Sequence, residues 1–143
     1  MHINNLPEAA AVMDERFGCD SLIALATVDG AGTPWVRSVN GYYEDGSFYV
    51  ITHRLSNKMR HLTANPVAAV CGEWFTAHAL GEDMGHIRAL QNEDLADKLR
   101  TVFAEWYGNG HTDETDPNTI ILRLKLTDGV LFSHGTRWEL EFN

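Results

Sequence analysis

Residues 23–43 read IALATVDGAGTPWVRSVNGYY, and residues 46–70 read GSFYVITHRLSNKMRHLTANPVAAV. Residues 21–28 are aliphatic and β-branched and close at Asp29-Gly30, residues 34–43 close at Asp45-Gly46, and residues 47–53 follow directly. An Asp-Gly pair between alternating apolar runs is a strong hairpin signal, because a tight turn needs a positive φ that glycine accepts. The two stretches therefore predict an antiparallel meander of three strands. After His53 the period changes: Ser56 is a good N-cap, Met59 and Leu62 fall three apart, and Asn65-Pro66 ends the segment. That spacing predicts one short helix.

Outward from this centre, Pro7 suits the first turn of a helix whose Met13 and Phe17 share an inner face before Gly18 stops it. Residues 67–74 and 75–80 read as two more strands. Asn92 caps an amphipathic helix carrying Leu95, Leu99, Val102, Phe103 and Trp106, with Gly108 as terminator. Residues 109–118 form a polar loop, and residues 119–126, 130–133 and 137–142 read as strands, the first two joined by a turn at Asp128-Gly129. Seven or so strands that close on themselves, with about three helices over the openings, predict a mainly β fold, a small barrel rather than an open sheet.

With 143 residues, 44% of them hydrophobic, the chain fills one ordinary core, so residues 1–143 are read as a single domain without internal repeats. Twenty acidic against eleven basic side chains give a formal charge of −9, and no basic run breaks the balance. A nucleic-acid footprint, which needs a positive face, is not expected. The longest apolar stretches, residues 22–28 and 48–52, fall well short of the roughly 20 needed to span a bilayer, so no membrane partner is expected. The opening MHINNLPEAA has neither a basic leader nor an apolar signal core, which points to the cytoplasm. Cys19 and Cys71, far apart in apolar surroundings, are expected as buried free thiols.

Over residues 15 to 75 the order of these elements resembles the flavin-binding split-barrel family related to pyridoxamine 5′-phosphate oxidase. In that family an Arg lies on the second strand, and a Thr at the end of the third strand is followed four residues later by Ser-x-Lys. Arg37, Thr52, Ser56 and Lys58 match that pattern. The resemblance implies a split barrel, a bound FMN (with FAD, a deazaflavin or haem as alternatives), and a homodimer with the cofactor in a cleft between subunits. It also implies that the isoalloxazine ring lies along the backbones of Ser38, Val39 and Asn40 and of Val50, Ile51 and Thr52. Trp74, Phe75, His78 or Trp138 of the partner would supply the second wall.

The residues themselves suit an FMN phosphate. Ser56, Asn57 and Lys58 begin a helix, where backbone N–H groups and the positive end of the dipole favour an anion. Lys58 adds a full charge, Ser56 a hydroxyl, and Arg37 a fork that matches phosphate oxygens. Two departures from the oxidase stand out. Asn57 replaces a residue that is commonly basic there, and the sequence ends RWELEFN without the Arg-x-His element that holds the oxidase's substrate. Oxidation of pyridoxamine 5′-phosphate is therefore not expected.

Seven histidines invite other chemistry. His78 and His86 flank ALGEDMG, whose Gly81 and Gly85 suggest a loop over the flavin, which makes these two histidines candidate catalytic proton carriers. Metal-ligand spacing is lacking, so no metal is expected. His53, Arg54, Arg60 and His61 surround the phosphate helix as either a solvated face or a positive funnel. Neither a nucleophile elbow, a dinucleotide fingerprint nor a Walker loop occurs, which sets aside hydrolase and nucleotidase readings. Two function classes remain: an FMN-dependent oxidoreductase acting on a small substrate or a nicotinamide, and a non-catalytic flavin or haem module for sensing or storage.

Overall fold

The computed structural model describes residues 6–142. The leader reading falls partly on residues 1–5, outside the described residues. The elements run α1 (Pro7–Phe17), β1 (Ser21–Val28), β2 (Pro34–Glu44), β3 (Ser47–His53), α2 (Asn57–Ala64), β4 (Val67–Gly72) and β5 (Phe75–His86). A 3₁₀ turn (Leu90–Asn92) then leads to α3 (Glu93–Val102), α4 (Ala104–Tyr107), β6 (Thr119–Ser133) and β7 (Thr136–Glu141). The strands run β3-β2-β1-β4-β5-β6-β7, and a further pairing of β3 with β6 closes the first six into an antiparallel barrel with β7 attached outside.

The meander forms as expected, but its two Asp-Gly pairs do different work. Asp45 and Gly46 have φ of 49° and 85°, the geometry of a tight two-residue hairpin turn. Asp29 instead organises a longer loop: its carboxylate accepts from the backbone N–H of Ala31 and Thr33 and from the Trp35 indole. A third pair, Asp128-Gly129, is not a turn. It lies inside the continuous strand β6, where a Cβ on residue 129 would sit 2.6 Å from the Thr76 carbonyl oxygen. Glycine there permits close approach of two backbones.

The segment 81–86, expected as a loop, continues β5: Gly81 pairs with Leu124, Glu82 with Arg123 and His86 with Ile120. The single C-terminal helix is two, broken at Phe103. Asn92 does not cap it by its side chain and instead donates to the carbonyls of Met84 and His86. Cys19 and Cys71 are both exposed, since one lies in the turn after α1 and the other points outward from β4.

Two apolar clusters fix the helices. Met13 and Phe17 of α1 and Met59 and Leu62 of α2 enter the barrel interior beside Ile23, Leu25, Phe48 and Leu124. Ala96, Leu99 and Phe103 pack on Ile121 together with Tyr42, Tyr49 and Ile51, which sets α3 and α4 against the outside of the barrel. Truncating a fully buried Leu99 to Ala would cost about 2–5 kcal/mol.

Candidate functional site

The ladder between β2 and β3 stops early. Tyr42 pairs with Tyr49, Tyr43 with Phe48 and Glu44 with Ser47, after which the strands part. β2 continues alongside β1, with Asn40 opposite Leu22 and Val39 opposite Ile23. β3 continues alongside β6, with Ile51 opposite Ile121 and Thr52 opposite Ile120. Backbone groups point alternately to either side of a strand, so residues 39–41 and 50–52 present N–H and C=O groups toward the gap.

A cavity of about 400 Å³ occupies this gap, lined by Val39, Asn40, Val50, Ile51, Thr52 and Lys58. Its remaining wall is Trp106 of α4 with Asn109, His111 and Thr112 of the following loop. Asp20 ties the two sides together, because its carboxylate accepts from the Asn40 amide at 2.9 Å and from the Trp106 indole at 3.0 Å. Trp106 also stacks on Phe103, with ring centroids 5.0 Å apart. The loop is pinned by Glu114, which accepts from Arg100, Arg88 and the Tyr107 hydroxyl. Its hydrogen bonds, that to Arg100 foremost, hold its pKa down at about 2.

At the α2 end lie cations without acids. Lys58 has a lowered pKa, chiefly from burial and then from repulsion by Arg37, and the Arg37 pKa is lowered by burial. Among the described residues neither has a carboxylate within 4 Å. Arg37 Nη1 donates to the Leu25 carbonyl at 3.2 Å and to Thr27 Oγ1 at 2.7 Å. Ser56, the N-cap residue of α2, makes no capping bond, and its Oγ is buried without a partner. An unsatisfied buried hydroxyl and an uncompensated half-buried lysine in the first turn of a helix, with a second uncompensated cation on the neighbouring strand, are a donor set that a phosphate dianion satisfies. The residues present fit the phosphate of a flavin mononucleotide.

Of the residues expected at the site, Val39, Asn40, Ile51, Thr52 and Lys58 line one cavity, Arg37 lies outside that lining but near enough for its charge to lower the Lys58 pKa, and Ser56 is the N-cap residue of α2. Ser38 faces outward and is exposed, opposite Ala24, and the exposed Asn57 holds Arg60. The other basic groups near α2 are spent: Arg54 pairs with Asp83, His53 with Asp116, and His61 with Thr27.

The two histidines proposed as proton carriers lie elsewhere. His78 pairs with Asp128 at 3.2 Å in a separate groove of about 470 Å³. His86 Nδ1 accepts from the Arg88 backbone, so Nε2 carries the hydrogen donated to the Asp116 carbonyl, and both ring nitrogens are engaged. Glu82 and Asp83 face Arg123 and Arg54. Phe75 is inside the barrel core and is no wall for a partner's cleft. Sequence reasoning missed Asp20, Thr27, Trp106, His111 and Thr112 as site residues. The aromatic at 106 was visible as a helix-face residue, but nothing local ties it to residue 20 or 40.

The outer face of β1, β4 and the adjoining edges carries exposed Leu22, Val36, Val67 and Leu80 around Ala24, Ala26 and Ala69. Among the described residues no helix is long and apolar enough to cross a membrane.

Residues 11–131 match the family model described as pyridoxamine 5′-phosphate oxidase. A curated relative, the pyridoxine/pyridoxamine 5′-phosphate oxidase of Rhodopseudomonas palustris strain HaA2, is 52% identical over 54 residues, covering 36% of this chain and 25% of that protein. The match thus spans a quarter of the relative's length. The crystal structure of General Stress Protein 26 from Bacillus anthracis is similar with a TM-score of 0.70 at 16% identity, covering 93% of this chain and 99% of that one. A FAD-binding protein from Mesorhizobium loti gives 0.66 at 14% identity, covering 90% and 94%. A heme binding protein from Mycobacterium smegmatis gives 0.65 at 14% identity, covering 92% and 57%. At these identities the structures establish the shared fold.

Proposed function

Since the chain belongs to the pyridoxamine 5′-phosphate oxidase family, we propose that the gap between β2 and β3 holds FMN and that the protein is an FMN-dependent oxidoreductase. The observation that carries this reading is the uncompensated Lys58, which lines a cavity between open strand edges and feels the charge of a second uncompensated cation, Arg37, together with the orphaned Ser56 hydroxyl two residues before it. Lys58 and Arg37 would hold the phosphate by charge, and Ser56 with the first N–H groups of α2 would complete its shell. The backbone of residues 39–41 and 50–52 would pair with the polar edge of the ring, while Val39, Ile51 and Trp106 supply its apolar contacts. The cations end the cavity at a phosphate and favour the mononucleotide over FAD.

When bound, the flavin would supply hydride and electron transfer between a reduced nicotinamide or small donor and an acceptor. The chain's part is to orient and to exclude water. His111 is the imidazole that lines the cavity, and it takes the place of His78 and His86 as the group able to move a proton there. The apolar outer face of β1 and β4 fits a second copy of the chain, which would close the cleft from outside as a homodimer. Haem has one feature in its favour, the His111 imidazole as a ligand at the cavity wall.

The absorption spectrum of purified protein loaded with FMN, followed under anaerobic NADPH and NADH, tests the reading. Bleaching of the ring absorbance and its recovery with an acceptor is the expected result. Firm FMN binding without reduction by either nicotinamide or a small reductant marks a binding module instead, and a Soret band on reconstitution with haem in place of flavin binding marks the haem reading.

A further inference from the structure

Thr27 sits at the inner end of β1 and is 1% exposed, although its side chain is polar. Its Oγ1 is 2.7 Å from Arg37 Nη1 and 2.8 Å from His61 Nδ1. A guanidinium only donates, so Oγ1 accepts from Arg37 and its own hydrogen is free to go to His61. His61 lies one turn beyond Lys58 on α2, and its ring rests near Trp35, with centroids 6.2 Å apart. One hydroxyl therefore links β1, the β2 residue Arg37 and the helix that carries Ser56 and Lys58.

We propose that Thr27 is a positioning residue for anion binding: its hydroxyl, directed by His61, fixes the Arg37 guanidinium beside Lys58 in the orientation that receives a phosphate. This rests on the FMN reading above and adds to it the residue that pre-organises the site. Two like charges side by side repel, and a flexible arginine would relieve that by swinging toward solvent. Nη1 is instead held by Thr27 Oγ1 and the Leu25 carbonyl. The remaining guanidinium hydrogens find no protein acceptor among the described residues. The fork is thus held on one side and open on the other, so less freedom is lost when a phosphate arrives.

The test is a titration of FMN and, separately, riboflavin into wild-type protein and the T27V, T27S, H61F and K58A variants, read by quenching of ring fluorescence at fixed salt. Valine keeps the shape of Thr27 and removes both hydrogen bonds. The expected result is that T27V weakens FMN about tenfold, leaves riboflavin within about twofold, and that T27S restores FMN to within about threefold. H61F keeps a ring against Trp35 and leaves the barrel interior untouched, and it lowers the FMN-to-riboflavin preference as well; it decides the matter should T27V not fold. An unchanged preference in T27V and H61F, or an equal loss of both ligands in T27V, overturns the role. A wild-type protein that binds FMN no better than riboflavin, or a K58A variant that binds FMN unchanged, instead overturns the phosphate site itself and this role with it.

Discussion

The Lys58 ammonium and the Arg37 guanidinium repel one another, and that repulsion adds to burial in lowering the Lys58 pKa. Two half-buried like charges without a counter-ion cost folding free energy, and a fold keeps such an arrangement where something else benefits. The first prediction is a trade between stability and binding. For a lysine whose folded pKa lies below its unfolded value, the penalty is fully present below the folded pKa and disappears as pH rises past the unfolded one. Lys58→Met should therefore raise the melting temperature of ligand-free protein at neutral pH, with the gain fading toward alkaline pH. The same variant should weaken FMN by about one to two decades. Thermal melts of ligand-free protein across pH, paired with flavin titration, measure both; a lower melting temperature with unchanged affinity would make Lys58 an ordinary packing residue.

Asp20 holds Asn40 and Trp106 from opposite sides of the cavity. Asn40 and Trp106 wall the cavity, so Asp20→Ala should weaken FMN and riboflavin together, by about threefold to tenfold. Parallel titration of the two ligands distinguishes this from a phosphate-end variant, which affects FMN alone.

Glu114 anchors the loop that carries His111, and its pKa of about 2 lies below the ordinary 4.5. A depressed carboxylate pKa contributes stability that is present above the unfolded value and lost as pH falls through the folded one. The window runs from about pH 4.5 down to about pH 2. The contribution is on the order of 2 kcal/mol, since Arg100 is partly exposed. Glu114→Gln should lower the melting temperature at pH 7, and the gap to wild type should narrow through that acid window. A gap constant with pH would assign the loss to packing.

The outer face with Leu22, Val36, Val67 and Leu80 is the expected contact between two copies. Light scattering at micromolar concentration should give about twice the chain mass of 16.0 kDa. Val36→Asp with Leu22→Asp should give monomers, because charges placed opposite their own copies repel across a two-fold axis. A wild-type monomer would leave the cleft to one chain.

Much of the barrel was legible from local chemistry. Asp45-Gly46 marks a turn because its backbone demand is local, and the Met59 and Leu62 spacing marks α2 because a helix face repeats within a few residues. Asp128-Gly129 misled for the same reason. The need for glycine there comes from Thr76, fifty-odd residues away in sequence, and a local rule reads it as a turn. The segment from Gly81 to His86 misled because its glycines and charges suggested a loop, whereas pairing with β6 makes it a strand. At the site, Arg37, Thr52, Ser56 and Lys58 stood out through the family pattern they match. Thr27 and Asp20 were not, since a small polar residue acquires its role only from the partners that the fold brings to it.

The central claim is that the cavity between β2 and β3 receives a flavin by its phosphate. Titration of wild-type protein with FMN and with riboflavin, at one salt concentration and neutral pH, tests it most directly, because the two ligands differ only in that group. The account predicts that FMN binds at least tenfold more tightly than riboflavin, and that added salt narrows the difference. Equal affinities, or no binding of either, would contradict it.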